Sequence, residues 1–75
     1  MKQMTDYQRE LVTTNMSVVD HVIRAYIHVN NSALESYEDF YQIGCEALCK
    51  AAMSYNPATS AFSTYASRVV RNALI

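Results

Sequence analysis

Residues near the C-terminus combine an aromatic ring with positive charge at helical spacing. Tyr65 and Arg68 are three residues apart, and Arg71 and Asn72 follow roughly one turn later. An aromatic ring can stack on an unpaired nucleobase while a guanidinium holds its phosphate, and stacking contributes about 1–3 kcal/mol per base. The same pattern is compatible with a half-buried tyrosine beside two solvated arginines, so composition alone leaves both interpretations open.

The cysteines and histidines are the other candidate reactive groups. Cys45 and Cys49 are four residues apart in a helical stretch, where their Cβ vectors do not converge, so we expect reduced thiols. With His21 or His28 they could bind zinc, but no fourth ligand stands at a spacing typical of zinc sites. There is also no nucleophile with a partner base and no glycine-rich phosphate loop. The sequence therefore predicts neither an enzyme nor a metal or cofactor site.

Length and composition favour one small helical domain. The chain has 75 residues, of which 51% are hydrophobic, with one glycine and one proline. A chain of this size can form a single core near the lower limit for folding without disulfides or metals. The scarcity of turn residues favours helices over a β fold. We therefore expect residues 1–75 to form one all-α domain.

Charge and hydropathy limit the partners. The formal net charge is −1, whereas binding to duplex DNA depends largely on phosphate neutralisation by Lys and Arg. We therefore expect no strong binding to double-stranded DNA by the chain alone. No apolar run is long enough to cross a bilayer, and no apolar segment of a signal peptide follows Lys2. The sequence predicts a soluble intracellular protein without a membrane partner.

The first apolar pattern predicts either one long helix or two short ones. Thr5 and Gln8 have the spacing of a capping box, which places a helix start there. The polar run at 13–15 interrupts the pattern, and Ser17 would cap a second helix if the first one breaks. The apolar positions that recur at three- and four-residue steps are Tyr7, Leu11, Val12, Val18, Val19, Val22, Ile23 and Tyr26.

Two further helices follow a polar connector at 30–34. Ser36 and the acidic residues behind it mark the start of a middle helix, which Asn56 and Pro57 end, and Ser63 is the expected N-cap of a last helix. The predicted inward residues of these two helices are Tyr37, Phe40, Gly44, Ala47, Leu48, Ala51, Tyr55, Phe62, Ala66, Val69, Val70, Ala73 and Leu74. The sequence thus predicts a small bundle of three to four helices.

The outward face of the middle helix carries more apolar residues than a solvated face needs. Within about 120° on a helical wheel lie Asp39, Gln42, Ile43, Glu46, Cys49, Lys50 and Met53. Polar residues at one end and adaptable apolar residues along the rest are typical of a surface for a partner helix. Single exposed apolar residues are ordinary on protein surfaces, so composition alone does not exclude a merely solvated face.

Several motifs, in order, resemble the second conserved region of primary-type bacterial sigma factors. They are residues 39–44 (DFYQIG), Leu48 with Lys50 and Ala51, residues 55–57 (YNP), residues 62–66 (FSTYA) and Arg71. In the family these read approximately D-L-I-Q-E-G, L-x-K-A, F-D-P, F-S-T-Y-A and I-R. Residues 15–26 resemble the preceding helix, written N-L-R-L-V with a tyrosine near its end. The resemblance therefore covers nearly all of residues 15–75.

The resemblance implies a transcription initiation module that acts in the bacterial cytoplasm, at the nucleoid during initiation. Its middle helix would bind the clamp helices, a coiled coil on the β′ subunit of RNA polymerase core. The residues of this polymerase-binding face are Asp39, Gln42, Ile43, Glu46, Cys49 and Met53. An anti-sigma factor is a further candidate partner.

The resemblance also implies that the last helix captures the non-template strand of the promoter minus-ten element. Tyr65 would stack on the flipped adenine, and Arg71 would meet the backbone. Asn15 and Tyr37 match positions that approach the downstream base of the element. The full set of candidate DNA-binding residues is Tyr65, Arg68, Arg71, Asn72, Thr64, Asn15 and Tyr37.

Departures from the family pattern indicate an alternative sigma factor. Arg68 and Val69 replace the tryptophan pair that follows F-S-T-Y-A, which points to a specialised factor. Ile43 replaces the family's acid, which would exchange a charged clamp contact for an apolar one. The final helix is predicted to be truncated near Ile75, without a following element for the minus-thirty-five hexamer, so the chain is either an excised domain or a protein that works without that second contact. The loss of the tryptophans and the low net charge also favour a second interpretation, a sigma-like interaction module that binds polymerase or a regulator and never contacts DNA.

Overall fold

The computed structural model describes residues 3–26 and 37–75, and these residues form helices without any strand. The helices are α1 (Asp6–Thr14), α2 (Ser17–Tyr26), α3 (Tyr37–Ser54) and α4 (Phe62–Leu74). The predicted all-α bundle of three to four helices is confirmed. The predicted connector at 30–34, the Ser36 cap and His28 lie outside the described residues.

The predicted capping box is present at the start of α1. Thr5 Oγ1 accepts a hydrogen bond from the Gln8 backbone N–H at 3.1 Å, and Gln8 Oε1 accepts one from the Thr5 N–H at 2.9 Å. Of the two alternatives for this region, the structure has two short helices, because α1 ends at Thr14 and α2 begins at Ser17. The polar run at 13–15 ends α1, since its hydroxyl and amide groups donate to carbonyls of the preceding turn.

The core lies where α2, α3 and α4 meet, and α3 contacts each of the other three helices. Val19, Leu48 and Val70 contribute one fully inaccessible side chain from each of α2, α3 and α4. The buried hydrophobic residues of the described chain are Val19, Val22, Ile23, Ala47, Leu48, Ala51, Ala52, Phe62, Ala66 and Val70. The helical periodicity therefore identified most of the inward positions correctly.

Some residues predicted to face the core lie at the surface instead. Tyr7 and Tyr26 are 55% and 51% exposed and Tyr37 is 38% exposed, and Ala73 is exposed as well. All of them stand within two residues of a helix end, where neighbouring helices no longer cover the surface. The tyrosines also keep their hydroxyl groups in water at such positions.

The predicted N-cap of the last helix was wrong. The cap is Ala61, which makes no side-chain hydrogen bond, and α4 begins at Phe62, so Ser63 lies within the helix. Phe62 is buried and packs edge-on against Tyr55, with ring centroids 5.2 Å apart. The start of α4 therefore follows the burial of Phe62, which outweighs the local capping preference of a serine.

Gly44 allows α2 and α3 to approach closely, as its position on the inward face of α3 predicts. A Cβ built at Gly44 would lie 2.6 Å from Val19 Cγ1 and 3.6 Å from Val70 Cγ1. The first distance is too short for two carbon atoms, and Val19 is fully buried and stiff at χ1, so it has little room to move.

We expect Gly44→Ala to lower the free energy of unfolding by about 1 kcal/mol, because overpacking costs roughly 1–3 kcal/mol and better helix propensity returns about 1 kcal/mol. Urea unfolding followed by circular dichroism measures this difference. In a chain that already carries Val19→Ala, the obstructing methyl is absent, and Gly44→Ala should be neutral or stabilising. Equal destabilisation in both backgrounds would contradict the close contact.

Candidate nucleic-acid and partner interfaces

An open cleft lies between the C-terminal end of α2 and the outward face of α4. Its volume is about 190 Å³, and it is lined by Tyr26, Thr64, Ser67, Arg68 and Arg71. The structure thus brings together Thr64, Arg68 and Arg71, which are candidate DNA-binding residues from the sequence. It adds Ser67 and Tyr26, which the sequence did not indicate, since the apolar pattern placed Tyr26 in the core.

Arg71 lies against the ring of Tyr26. Its guanidinium carbon is 5.6 Å from the ring centroid, within the range of about 6 Å over which cation–π attraction operates. Arg71 is half-buried and Tyr26 is about half-exposed. The ring restrains the guanidinium without neutralising it, so the positive charge remains available at the cleft.

Tyr65 lies on another part of α4 and does not line this cleft. Its ring is half-buried, 6.0 Å from the ring of Tyr55 between centroids, and its hydroxyl oxygen is 2.8 Å from Ser54 Oγ. Arg68 and Asn72 are exposed on the same side of the helix. The Tyr65 ring is therefore held against the C-terminal end of α3, and a ligand that stacks on its open side need not order it further.

Asn15 and Tyr37, the two candidate DNA-binding residues outside α4, make contacts within the fold. The side-chain amide of Asn15 donates to the Leu11 carbonyl at 2.8 Å, at the junction of α1 and α2. The Tyr37 hydroxyl donates to Asp20 Oδ1, and its ring stacks on Tyr41 with centroids 5.9 Å apart. Neither residue lines the cleft that contains Arg71.

The hydrogen bond from Tyr37 also changes the ionisation of Asp20. It is the largest of the effects that hold the pKa of Asp20 below its ordinary value, and the Arg24 guanidinium, 2.8 Å from Oδ2, acts in the same direction. The bond raises the pKa of Tyr37, because only the neutral hydroxyl can donate.

Asp20 and Arg24 line a second cleft of about 500 Å³ between α2 and α4, which shares Ser67 with the first.

The outward face of α3 is accessible along its length. Ile43 and Met53 are each 42% exposed. Asp39, Gln42 and Glu46 are exposed and Cys49 is half-buried. None of these residues lines either cleft between α2 and α4. The predicted partner face therefore lies outside both clefts.

Cys45 and Cys49 are free thiols, as predicted. In the part of the chain that the structure describes, no three His, Cys, Asp or Glu side chains come together as metal ligands. None of the described helices has the length and apolar character needed to span a membrane.

Comparison with known proteins gives one match. The family model described as Sigma-70 region 2 matches residues 11–75, which include the end of α1 and all of α2, α3 and α4. No curated protein and no solved structure matches the chain. The family match extends over all the motifs on which the resemblance at 15–75 was based, and it confirms that resemblance.

Replacing Tyr37 with phenylalanine should raise the pKa of Asp20 toward its ordinary value of 3.8. Because the folded pKa is lowered, ionised Asp20 stabilises the fold above this ordinary value, and the stabilisation is lost as the pH falls through the lower folded value. Tyr37→Phe should shrink that acid-dependent loss. An NMR titration of the Asp20 carboxyl carbon measures the shift, with Tyr41→Phe as the matched control. An unchanged Asp20 pKa in Tyr37→Phe would refute the assigned cause.

Proposed function

The chain belongs to the sigma-70 region 2 family, and we propose that it docks on RNA polymerase core and captures the opened non-template strand of a promoter. Sigma-factor domains of this family act in polymerase binding and promoter recognition. The observation that supports this proposal is that α3 presents exposed polar and apolar residues while α4 lines a cleft with Thr64, Arg68 and Arg71.

The α3 face has the composition that a coiled-coil partner requires. Asp39 and Gln42 match the family positions that contact the clamp helices of the β′ subunit, and both are exposed at the N-terminal part of α3. Ile43 and Met53 offer exposed apolar surface beside them, which a partner helix can bury. Ile43 stands where the family has an acid, so an apolar contact would replace a charged one in this interface.

The α4 face has the composition for binding an unpaired base. Tyr65 provides a ring that neighbouring residues already hold in place, and Arg68 and Arg71 provide positive charge. A surface that binds an extruded base better than a paired one lowers the free energy of the opened strand, so melting needs no ATP. Because the net charge is −1, polymerase would supply much of the electrostatic attraction to DNA.

Arg68 and Val69 stand where housekeeping sigma factors carry tryptophans. Arg68 is exposed and Val69 is half-buried, so neither offers a large flat ring to wedge between bases. This supports an alternative sigma factor with a weaker melting wedge. Asn15 and Tyr37 are proposed to approach the downstream base of the element; Tyr37 is 38% exposed and Asn15 is half-buried.

A second candidate function is an interaction module that binds polymerase or a regulator without contacting DNA. The observation that favours it is the internal engagement of Tyr65, whose hydroxyl bonds to Ser54 and whose ring contacts Tyr55. In this alternative the ring is a structural part of the junction between α3 and α4. The behaviour of Tyr65 variants toward DNA distinguishes the two functions.

Substituting Asp39→Ala and Gln42→Ala together should weaken binding to core polymerase by about tenfold or more, as truncation of central interface residues does. A pull-down or fluorescence titration with core polymerase measures this loss. The far-UV circular dichroism should remain unchanged, because both side chains are exposed. Glu10→Ala, an exposed change on α1, serves as the control. Undiminished polymerase binding by the double variant would remove the docking assignment.

Tyr65→Ala should weaken the affinity of the polymerase complex for a minus-ten non-template oligonucleotide about tenfold, since stacking contributes roughly 1–3 kcal/mol per base. Tyr65→Phe keeps the ring and removes only the hydroxyl bond to Ser54, so it should bind almost as wild type. A fluorescence anisotropy titration measures all three affinities, after circular dichroism has shown that each variant is folded. Equal affinities of wild type and Tyr65→Ala would favour the interaction module.

A further inference from the structure

We propose that Tyr26 is a positioning residue that holds Arg71 for one backbone phosphate of single-stranded DNA, and that the hydroxyl groups of Thr64 and Ser67 complete the phosphate site in the cleft they share with Arg71. The inference rests on the proposed function for the identity of the polymer. It adds to that function a bounded site and a positioning residue that lies far from α4 in the sequence.

The cleft brings two arginines together, Arg68 and Arg71. Arg24 lies 2.8 Å from Asp20, and Arg9 pairs with a carboxylate of its own helix, so the charge of each is offset locally. The ion pairs found among the described residues, Arg9 with Asp6 and Arg24 with Asp20, do not include Arg68 or Arg71. In a chain with a net charge of −1, the cleft is therefore a local concentration of positive charge that attracts an anion.

The Tyr26 ring prepares Arg71 for such a ligand. An exposed arginine samples many rotamers and loses this freedom when it binds. The guanidinium of Arg71, 5.6 Å from the ring centroid, is already restricted in the unliganded chain. Since the ring carries no formal charge, it does not compete with a phosphate as an aspartate or a glutamate would.

The other groups in the cleft are typical phosphate ligands. Thr64 and Ser67 add hydroxyl groups to the two guanidinium groups, and hydroxyls with bidentate arginine recur where proteins hold DNA phosphates. Within residues 3–26 and 37–75, no carboxylate lines the cleft. This donor-rich, acid-free lining favours an anion over a metal ion.

The cleft is separate from the stacking position. Tyr65 and Arg71 lie roughly 120° apart on the α4 wheel, and Tyr65 does not line the cleft. A strand that crosses α4 can therefore place a base on Tyr65 and a phosphate between Arg71 and the two hydroxyls. Arg68, which lies between these positions on the wheel, borders both.

An NMR titration of the isotopically labelled chain with a single-stranded minus-ten oligonucleotide at low salt tests the site without polymerase. We expect the Arg71 Nε–H resonance to shift on binding. Tyr26→Leu should weaken the affinity about three- to tenfold, and Tyr26→Phe should stay within about twofold of wild type because the ring remains. Arg9→Ala, which removes the same charge elsewhere, is the matched control and should have a smaller effect than Arg71→Ala.

Oligonucleotides with one neutral methylphosphonate linkage identify the ligand atom. When the methylphosphonate replaces the phosphate that occupies the cleft, the affinity for wild type should fall. The affinity for Tyr26→Leu should stay almost unchanged. An abasic site next to that linkage should leave the effect of Tyr26→Leu intact. The proposal would be overturned if the effect of Tyr26→Leu depended on the neighbouring base. It would also be overturned if wild type and Tyr26→Leu bound with equal affinity while Arg71→Ala bound weakly. Shifts at Tyr65 without shifts at Arg71 would overturn it and leave the proposed function standing.

Discussion

The packing of α2 and α4 against the inward face of α3 is the constraint on which the rest of the structure depends. Gly44 has no room for a Cβ beside Val19, and Val70 of α4 lies close to the same point. This arrangement buries the alanine-rich face of α3 and turns its opposite face to the surface. It also sets α2 beside α4, which creates the cleft that contains Tyr26 and Arg71. Both proposed functional surfaces are therefore consequences of one helix crossing.

The distribution of charge explains how a nearly neutral chain can serve nucleic-acid capture. Arg9 and Arg24 are paired with carboxylates, whereas Arg68 and Arg71 stand on α4 beside aromatic and hydroxyl groups. Such a surface attracts an unpaired strand locally and has little long-range attraction for duplex DNA. In the proposed function, polymerase supplies the remaining electrostatic attraction to DNA. Membership of the sigma-70 region 2 family is consistent with polymerase in that role.

Periodicity and capping chemistry predict the helices of this chain well because both are local. They identify the capping box at Thr5, the end of the third helix before Pro57 and most of the core. They fail where a contact with a distant residue determines a helix boundary. The start of α4 at Phe62, which is buried, is such a case. They also miss Tyr26, because its pairing with Arg71 arises only when α2 lies beside α4. Family motifs predict a stacking role for Tyr65, but no sequence pattern reveals that its hydroxyl oxygen lies 2.8 Å from Ser54 Oγ.

The central claim is that one chain binds two partners at once through different helices. Hydrogen–deuterium exchange on the chain alone, bound to core polymerase, and bound to polymerase with a single-stranded minus-ten oligonucleotide tests this claim directly. The account predicts protection of α3 around Gln42 and Ile43 when polymerase binds, followed by additional protection of α4 when the oligonucleotide is added. Loss of the α3 protection when DNA is added, or protection of α4 by polymerase alone with no further change, would contradict it.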